Sequence, residues 1–136
     1  YMGAWALLRY PEIFHVGVAG APVTDWKNYD TIYTERYMRT PMENPDGYRA
    51  GSCLSYAKRL KGKLLLLHGL IDDNVHPANT WQLADALQRA GKQFDMMVYP
   101  RSKHGLISHS SSLRWLSLHR HLRPQPIIIK SAGKEN

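Results

Sequence analysis

The sequence predicts an α/β fold, with parallel strands in one sheet and helices laid on its faces. Three observations carry that prediction. Leu64-Leu65-Leu66-Leu67 is a short, wholly apolar run between Lys63 and His68-Gly69, the pattern of a strand buried on both faces. Phe14–Ala21 is rich in Val, Ala and Gly and runs into Pro22; it has the same character. Between the Leu run and a third candidate strand, Phe94–Pro100, lies the amphipathic stretch Pro77–Ala90. Its Pro near the start and Gly91 past the end are the marks of a helix.

The remaining elements follow in chain order. Tyr1–Tyr10 reads as the end of an amphipathic helix, closed by Tyr10-Pro11 because the residue before a proline is pushed out of the helical region. From Pro22 to about Gly51 the chain is rich in Tyr, Asp, Asn and Pro. This reads as a long, partly helical excursion with one short helix over Tyr29–Arg39, and such segments are where function concentrates. Arg101–Gly105 reads as a loop and Ser108–His121 as a helix. Residues 1–121 are thus expected to form the domain and 122–136 a tail, with Ile127-Ile128-Ile129 as the tail's one apolar patch.

Composition narrows the function. The 136 residues suit one domain with a modest core. With 43% hydrophobic and 21% charged residues, the chain is ordinary for a globular protein and unlike a disordered one. No stretch reaches the roughly 20 apolar residues of a membrane-spanning helix. The net charge is +7, but the basic residues are scattered and several sit in the expected tail. Without a basic run interleaved with aromatics, a nucleic-acid partner is not expected. Cys53 is the single cysteine, so no internal disulfide forms, and burial is expected of it. His104, His109, His119 and His121 lack the His-Glu-x-x-His spacing and a nearby Cys partner; no metal or cofactor is expected. The chain opens with Tyr rather than Met, inside what reads as a helix, so it is expected to be a piece of a longer protein. The compartment stays open.

Working residues of open α/β sheets sit in loops at the carboxyl ends of strands. Two such loops carry suitable groups. His68-Gly69-Leu70-Ile71-Asp72-Asp73-Asn74-Val75-His76 follows the Leu strand, and Arg101-Ser102-Lys103-His104-Gly105 follows the last strand. Asp72 and His104, 32 positions apart, stand in the acid-then-His order of the α/β-hydrolase triad. In such a triad the His takes the proton of a Ser hydroxyl and returns it to the leaving group. The carboxylate fixes the imidazole tautomer and stabilises the imidazolium. Asp73 is expected to support the site or cap the turn. His68 and His76 are expected to be structural hydrogen-bonders, Glu35-Arg36 an ion pair, and Ser102 a loop residue. Tyr29, Tyr33 and Tyr37 recur every four residues, which suits one helix face and equally a pocket wall.

Four stretches carry a family resemblance: Ala19-Gly20-Ala21-Pro22-Val23-Thr24-Asp25-Trp26, Tyr29-Asp30-Thr31-Ile32-Tyr33-Thr34-Glu35-Arg36-Tyr37-Met38, the His68–His76 loop, and His104-Gly105. The sequence resembles the C-terminal part of the catalytic domain of the dipeptidyl peptidase IV branch of the prolyl oligopeptidase family, from residue 1 to about residue 121. The resemblance implies part of an α/β-hydrolase fold with an incomplete sheet. It implies Asp72 as triad acid and His104 as triad base. It also implies that Tyr29 and Tyr33 wall a pocket for a penultimate proline, with Trp26, Val23 and Val75 as further apolar parts and Asn74 holding a substrate carbonyl. A small aromatic slot suits a proline ring, which offers no donor.

In the family the nucleophile motif reads Gly-Trp-Ser-Tyr-Gly-Gly-Tyr-Met. Tyr1-Met2 match its last two residues, so the resemblance puts the Ser four positions before Tyr1; no Gly-x-Ser-x-Gly occurs in the chain. The implied parent is a homodimeric serine exopeptidase releasing Xaa-Pro or Xaa-Ala dipeptides from peptide N-termini, with the N-terminal remainder of the same protein as partner. Two rivals stand beside it: an inactive hydrolase-like interaction protein, and another acyl hydrolase of the same fold. Alone, the chain is expected to carry an unpaired edge on its first strand and to self-associate.

Overall fold

A computed structural model describes residues 1–106 and 108–123. Ile107 and residues 124–136 lie outside the described residues, and with them the Ile127–Ile129 patch of the expected tail. The elements in order are α1 (Met2–Arg9), β1 (Val16–Gly20), α2 (Thr31–Met38), α3 (Pro45–Gly51), β2 (Lys63–Gly69), α4 (Ala78–Arg89), β3 (Asp95–Tyr99) and α5 (Ser108–Leu122). Short 3₁₀ segments occupy Trp26–Asn28 and Cys53–Arg59.

The three strands form one parallel sheet in the order β1-β2-β3. The Leu run is its centre: Leu64, Leu65, Leu66 and Leu67 are all buried. Alternation along the strand divides them between two layers. Leu64 and Leu66 pack with Leu7 and Leu8 of α1, Leu83 and Leu87 of α4, and Cys53, Ala57 and Leu60 of the 3₁₀ segment. Leu65 and Leu67 pack with Tyr99 on the other face, where Val18, Leu106 and Leu113 join them. An apolar run with no polar alternation is therefore what a strand between two helical layers requires. β1 pairs with β2 alone among the described residues, so its other edge is open.

The excursion between β1 and β2 holds more structure than expected. The helix foreseen over Tyr29–Arg39 begins at Thr31, because the Asp30 side chain accepts from the Tyr33 N–H and caps it. Tyr29 is left in extended backbone before it. The unforeseen helix α3 has Asn44 as its cap, accepting from the Gly47 N–H, and Pro45 at its first position; Gly47 and Gly51 within it hide it from propensity. The expected Glu35–Arg36 ion pair does not form among the described residues. Neighbours on a helix point about 100° apart and do not face each other.

Candidate active site

The carboxyl ends of β2 and β3 bring the two candidate loops together. Leu70 N–H donates to the Tyr99 carbonyl at 2.9 Å, and Ile71 N–H to the Ser102 carbonyl at 3.2 Å. This close approach dictates Gly69: a side-chain carbon there would overlap the carbonyl oxygens of Ser102 and Lys103.

Asp72 sits where the loops meet, its side chain fully buried. Its Oδ1 accepts from the N–H groups of Asn74 and Val75, both at 2.9 Å. Its Oδ2 accepts from His104 Nδ1 at 3.0 Å. A carboxylate only accepts, so Nδ1 carries the ring proton and Nε2 is left with its lone pair. The His104 side chain is 45% exposed, whereas the acid it bonds is buried. Burial by itself raises the Asp72 carboxyl, but the Asn74 N–H, the His104 bond and the Val75 N–H outweigh it and hold the group below the ordinary carboxylate range.

Asp73 does not compete for this role. Its Oδ2 takes Lys103 Nζ at 2.8 Å, and that bond holds its carboxyl low as well. The pair is exposed and ties the two loops together from outside.

The sequence reading gave His68 only a structural role, yet it stands next to the acid. The ring is fully buried, with Nδ1 meeting the Thr80 hydroxyl at 2.6 Å and Nε2 donating to the Val75 carbonyl at 2.8 Å. Nε2 also lies 3.3 Å from Asp72 Oδ2. Both of these oxygens only accept, which fixes the proton on Nε2. His76 makes a local bond, its Nδ1 accepting from the Ala78 N–H at 3.1 Å.

The aromatic residues from the excursion form one connected group. Trp26 lies 6.1 Å from Tyr29 and 6.3 Å from Tyr33 between ring centroids, and Tyr29 meets Tyr33 edge-on at 5.5 Å. Tyr37 continues the series, 5.2 Å from Tyr33. Stacked and edge-on contacts of this kind are favourable for rings. Tyr33 and Tyr37 stay exposed, so this face of α2 is not core. The Tyr29 hydroxyl donates to Asn74 Oδ1 at 3.0 Å, joining the aromatic group to the loop of Asp72. Val23 and Val75 are buried. A cavity of about 140 Å3 opens between Trp26, Tyr33, Thr34, Tyr37 and Met38; Tyr29, Asn74, Val23 and Val75 do not line it.

A three-layered parallel α/β arrangement with an acid–His pair at the carboxyl ends of adjacent strands is the arrangement of part of an α/β-hydrolase fold. The chain matches the prolyl oligopeptidase family over residues 1–121. It is 47% identical to dipeptidyl peptidase 8 of Mus musculus and of Homo sapiens over 109 residues, 78% of this chain and 12% of each relative. Its backbone superposes on the crystal structure of Porphyromonas gingivalis dipeptidyl peptidase 4 with a TM-score of 0.81 and 38% identity, over 87% of this chain and 18% of that one. The chain thus spans about an eighth of the length of these curated relatives. It belongs to the prolyl oligopeptidase family, within the dipeptidyl peptidase IV branch.

Proposed function

We propose that the protein is a serine exopeptidase that removes Xaa-Pro and Xaa-Ala dipeptides from peptide N-termini, and that this chain supplies its acid and base. The observation that carries the reading is the Asp72–His104 bond. The buried carboxylate accepts a hydrogen bond from Nδ1–H and so leaves the lone pair on Nε2, the state a general base needs. The nucleophile is the Ser that the family resemblance puts four positions before Tyr1. His104 takes its proton as it attacks the scissile carbonyl and returns it to the leaving amine. Asp72 does not become protonated; it stabilises the imidazolium.

Substrate selection rests on the aromatic group. Tyr29 and Tyr33 would hold a proline ring against Trp26, and Val23 and Val75 would supply further apolar surface. Asn74 would give its amide N–H to a substrate carbonyl. That orientation is supported by the Tyr29 hydroxyl, which occupies Asn74 Oδ1 and leaves the NH₂ group to donate. Alanine fills the same slot less well, and one methylene there is worth about 1–3 kcal/mol.

The test uses the full-length protein and Gly-Pro-p-nitroanilide. The wild type should release the chromophore, and His104→Ala should abolish release while unfolding at the same temperature. No release by folded wild type would refute the reading and favour an inactive interaction protein. Release from acyl-blocked peptides instead would favour another acyl hydrolase. We also propose a homodimer, supported by the exposed Met96 and Met97 of β3 and Trp115 and Leu116 of α5; light scattering of the full-length protein giving a monomer mass would overturn that.

A further inference from the structure

We infer that Asn79, in the first turn of α4, is a positioning residue that sets the spacing between the two halves of the proposed proline pocket; this rests on the peptidase reading above. The pocket residues come from two separate segments. Val23, Trp26 and Tyr29 belong to the segment after β1, and Asn74 and Val75 to the loop after β2. Asn79 is fully buried where the two meet.

Its side-chain amide makes four bonds, all to backbone. Oδ1 accepts from the N–H groups of Thr24 at 3.0 Å and Asp25 at 3.4 Å. Nδ2 donates to the carbonyls of Asn28 at 3.4 Å and His76 at 3.2 Å. Four is the full capacity of an amide. The Thr24 hydroxyl closes the network by donating to the Asn79 carbonyl. Each anchor is the sequence neighbour of a proposed pocket residue: Thr24 of Val23, Asp25 of Trp26, Asn28 of Tyr29, and His76 of Val75.

The physical consequence is a fixed distance across the pocket. Backbone groups cannot relocate without moving the side chains beside them, and a fully satisfied buried network has a single geometry. The Tyr29–Asn74 bond at 3.0 Å spans the same two segments and needs that geometry. The triad acid shares one side of this frame, since its Oδ1 is held by the Asn74 and Val75 N–H groups, but the close contact of the β2 and β3 loops through the Ser102 carbonyl, and His68 beside Oδ2, hold the pair independently of Asn79. Asn79 therefore acts on selection of the substrate more than on the proton transfer.

The experiment compares full-length wild type with Asn79→Asp, Asn79→Ala and Thr24→Val. The substrates are Gly-Pro-p-nitroanilide, Gly-Ala-p-nitroanilide and p-nitrophenyl acetate; the ester needs the triad but not the pocket. Asn79→Asp keeps the acceptor and loses both donors. In the Asn79 variants KM for the Gly-Pro amide should rise at least tenfold, and the preference for Pro over Ala should fall at least fivefold. Thr24→Val removes only the Thr24 hydroxyl's bond and should move both quantities in the same directions by a smaller factor. Ester turnover should fall by a smaller factor than turnover of the Gly-Pro amide in every variant. An unchanged Pro/Ala ratio would overturn the proposal, as would equal losses on ester and amide. If Asn79→Ala does not fold, the other two variants decide. If none of the three folds, Asn79 serves stability alone and the proposal fails. Wild-type inactivity on both amides would instead refute the peptidase reading itself.

Discussion

Replacing Asp72 by Asn should disable the base without removing it. The Asp72 Oδ1 position receives two backbone N–H bonds, from Asn74 and Val75 at 2.9 Å each. An amide in its place must put its oxygen there, since an NH₂ group would face two donors. Its nitrogen then takes the Oδ2 position, 3.0 Å from His104 Nδ1 and 3.3 Å from His68 Nε2. His68 cannot yield, because its Nε2 proton is held by the Val75 carbonyl at 2.8 Å. The new amide therefore donates to His104 Nδ1, which gives up its proton. The proton moves to Nε2, the atom that must accept from the nucleophile. A wrong tautomer of this kind costs about 10⁴ in kcat in a triad enzyme, equivalent to about 5.4 kcal/mol of transition-state stabilisation. The assay is kcat of the full-length variant on Gly-Pro-p-nitroanilide, with thermal unfolding recorded alongside. A folded variant that lost less than about tenfold would refute the tautomer argument.

Leu66→Ala should cost about 2–5 kcal/mol by chemical denaturation, because its site is fully buried between the sheet and α1 and α4. Burial pushes the Cys53 thiol up to about 12, so it should resist iodoacetamide at pH 8 and react only on unfolding. Labelling of the native protein at the rate of a free thiol would contradict its placement. The Asp72 carboxyl lies below its unfolded value, so its stabilisation is complete above about pH 4 and is lost as pH falls through the lower folded value. The wild-type advantage in Tm over Asp72→Asn should therefore shrink in acid, and a pH-independent difference would count against the bond network.

The parts legible in the sequence are those with a local signal. The Leu run and the Pro-to-Gly helix after it follow from periodicity and punctuation alone, and the structure places both as expected. Strand ends locate the loops of Asp72 and His104, the family resemblance singles out Asp72 over Asp73, and the side chains of Asp72 and His104 do meet. The excursion was harder to read. Two glycines masked α3, and the even spacing of Tyr29, Tyr33 and Tyr37 suggested one helix face, whereas Asp30 starts the helix after Tyr29. Asn79 and His68 gave no signal of their importance. Asn79 makes backbone bonds to residues as far as 55 positions away, and the His68 ring touches Asp72 only because β2 ends in a tight turn. A buried polar residue in a helix's first turn reads as an ordinary helix start until the fold supplies its partners.

The proposed function requires that Asp72 and His104 activate a serine nucleophile in the full-length protein. The most direct measurement is the intact mass and labelling rate with a fluorophosphonate. One adduct should form, mapping to the Ser four positions before Tyr1, and His104→Ala should suppress it at unchanged folding. No adduct on folded wild type, or an equal rate in the His104 variant, would contradict the account.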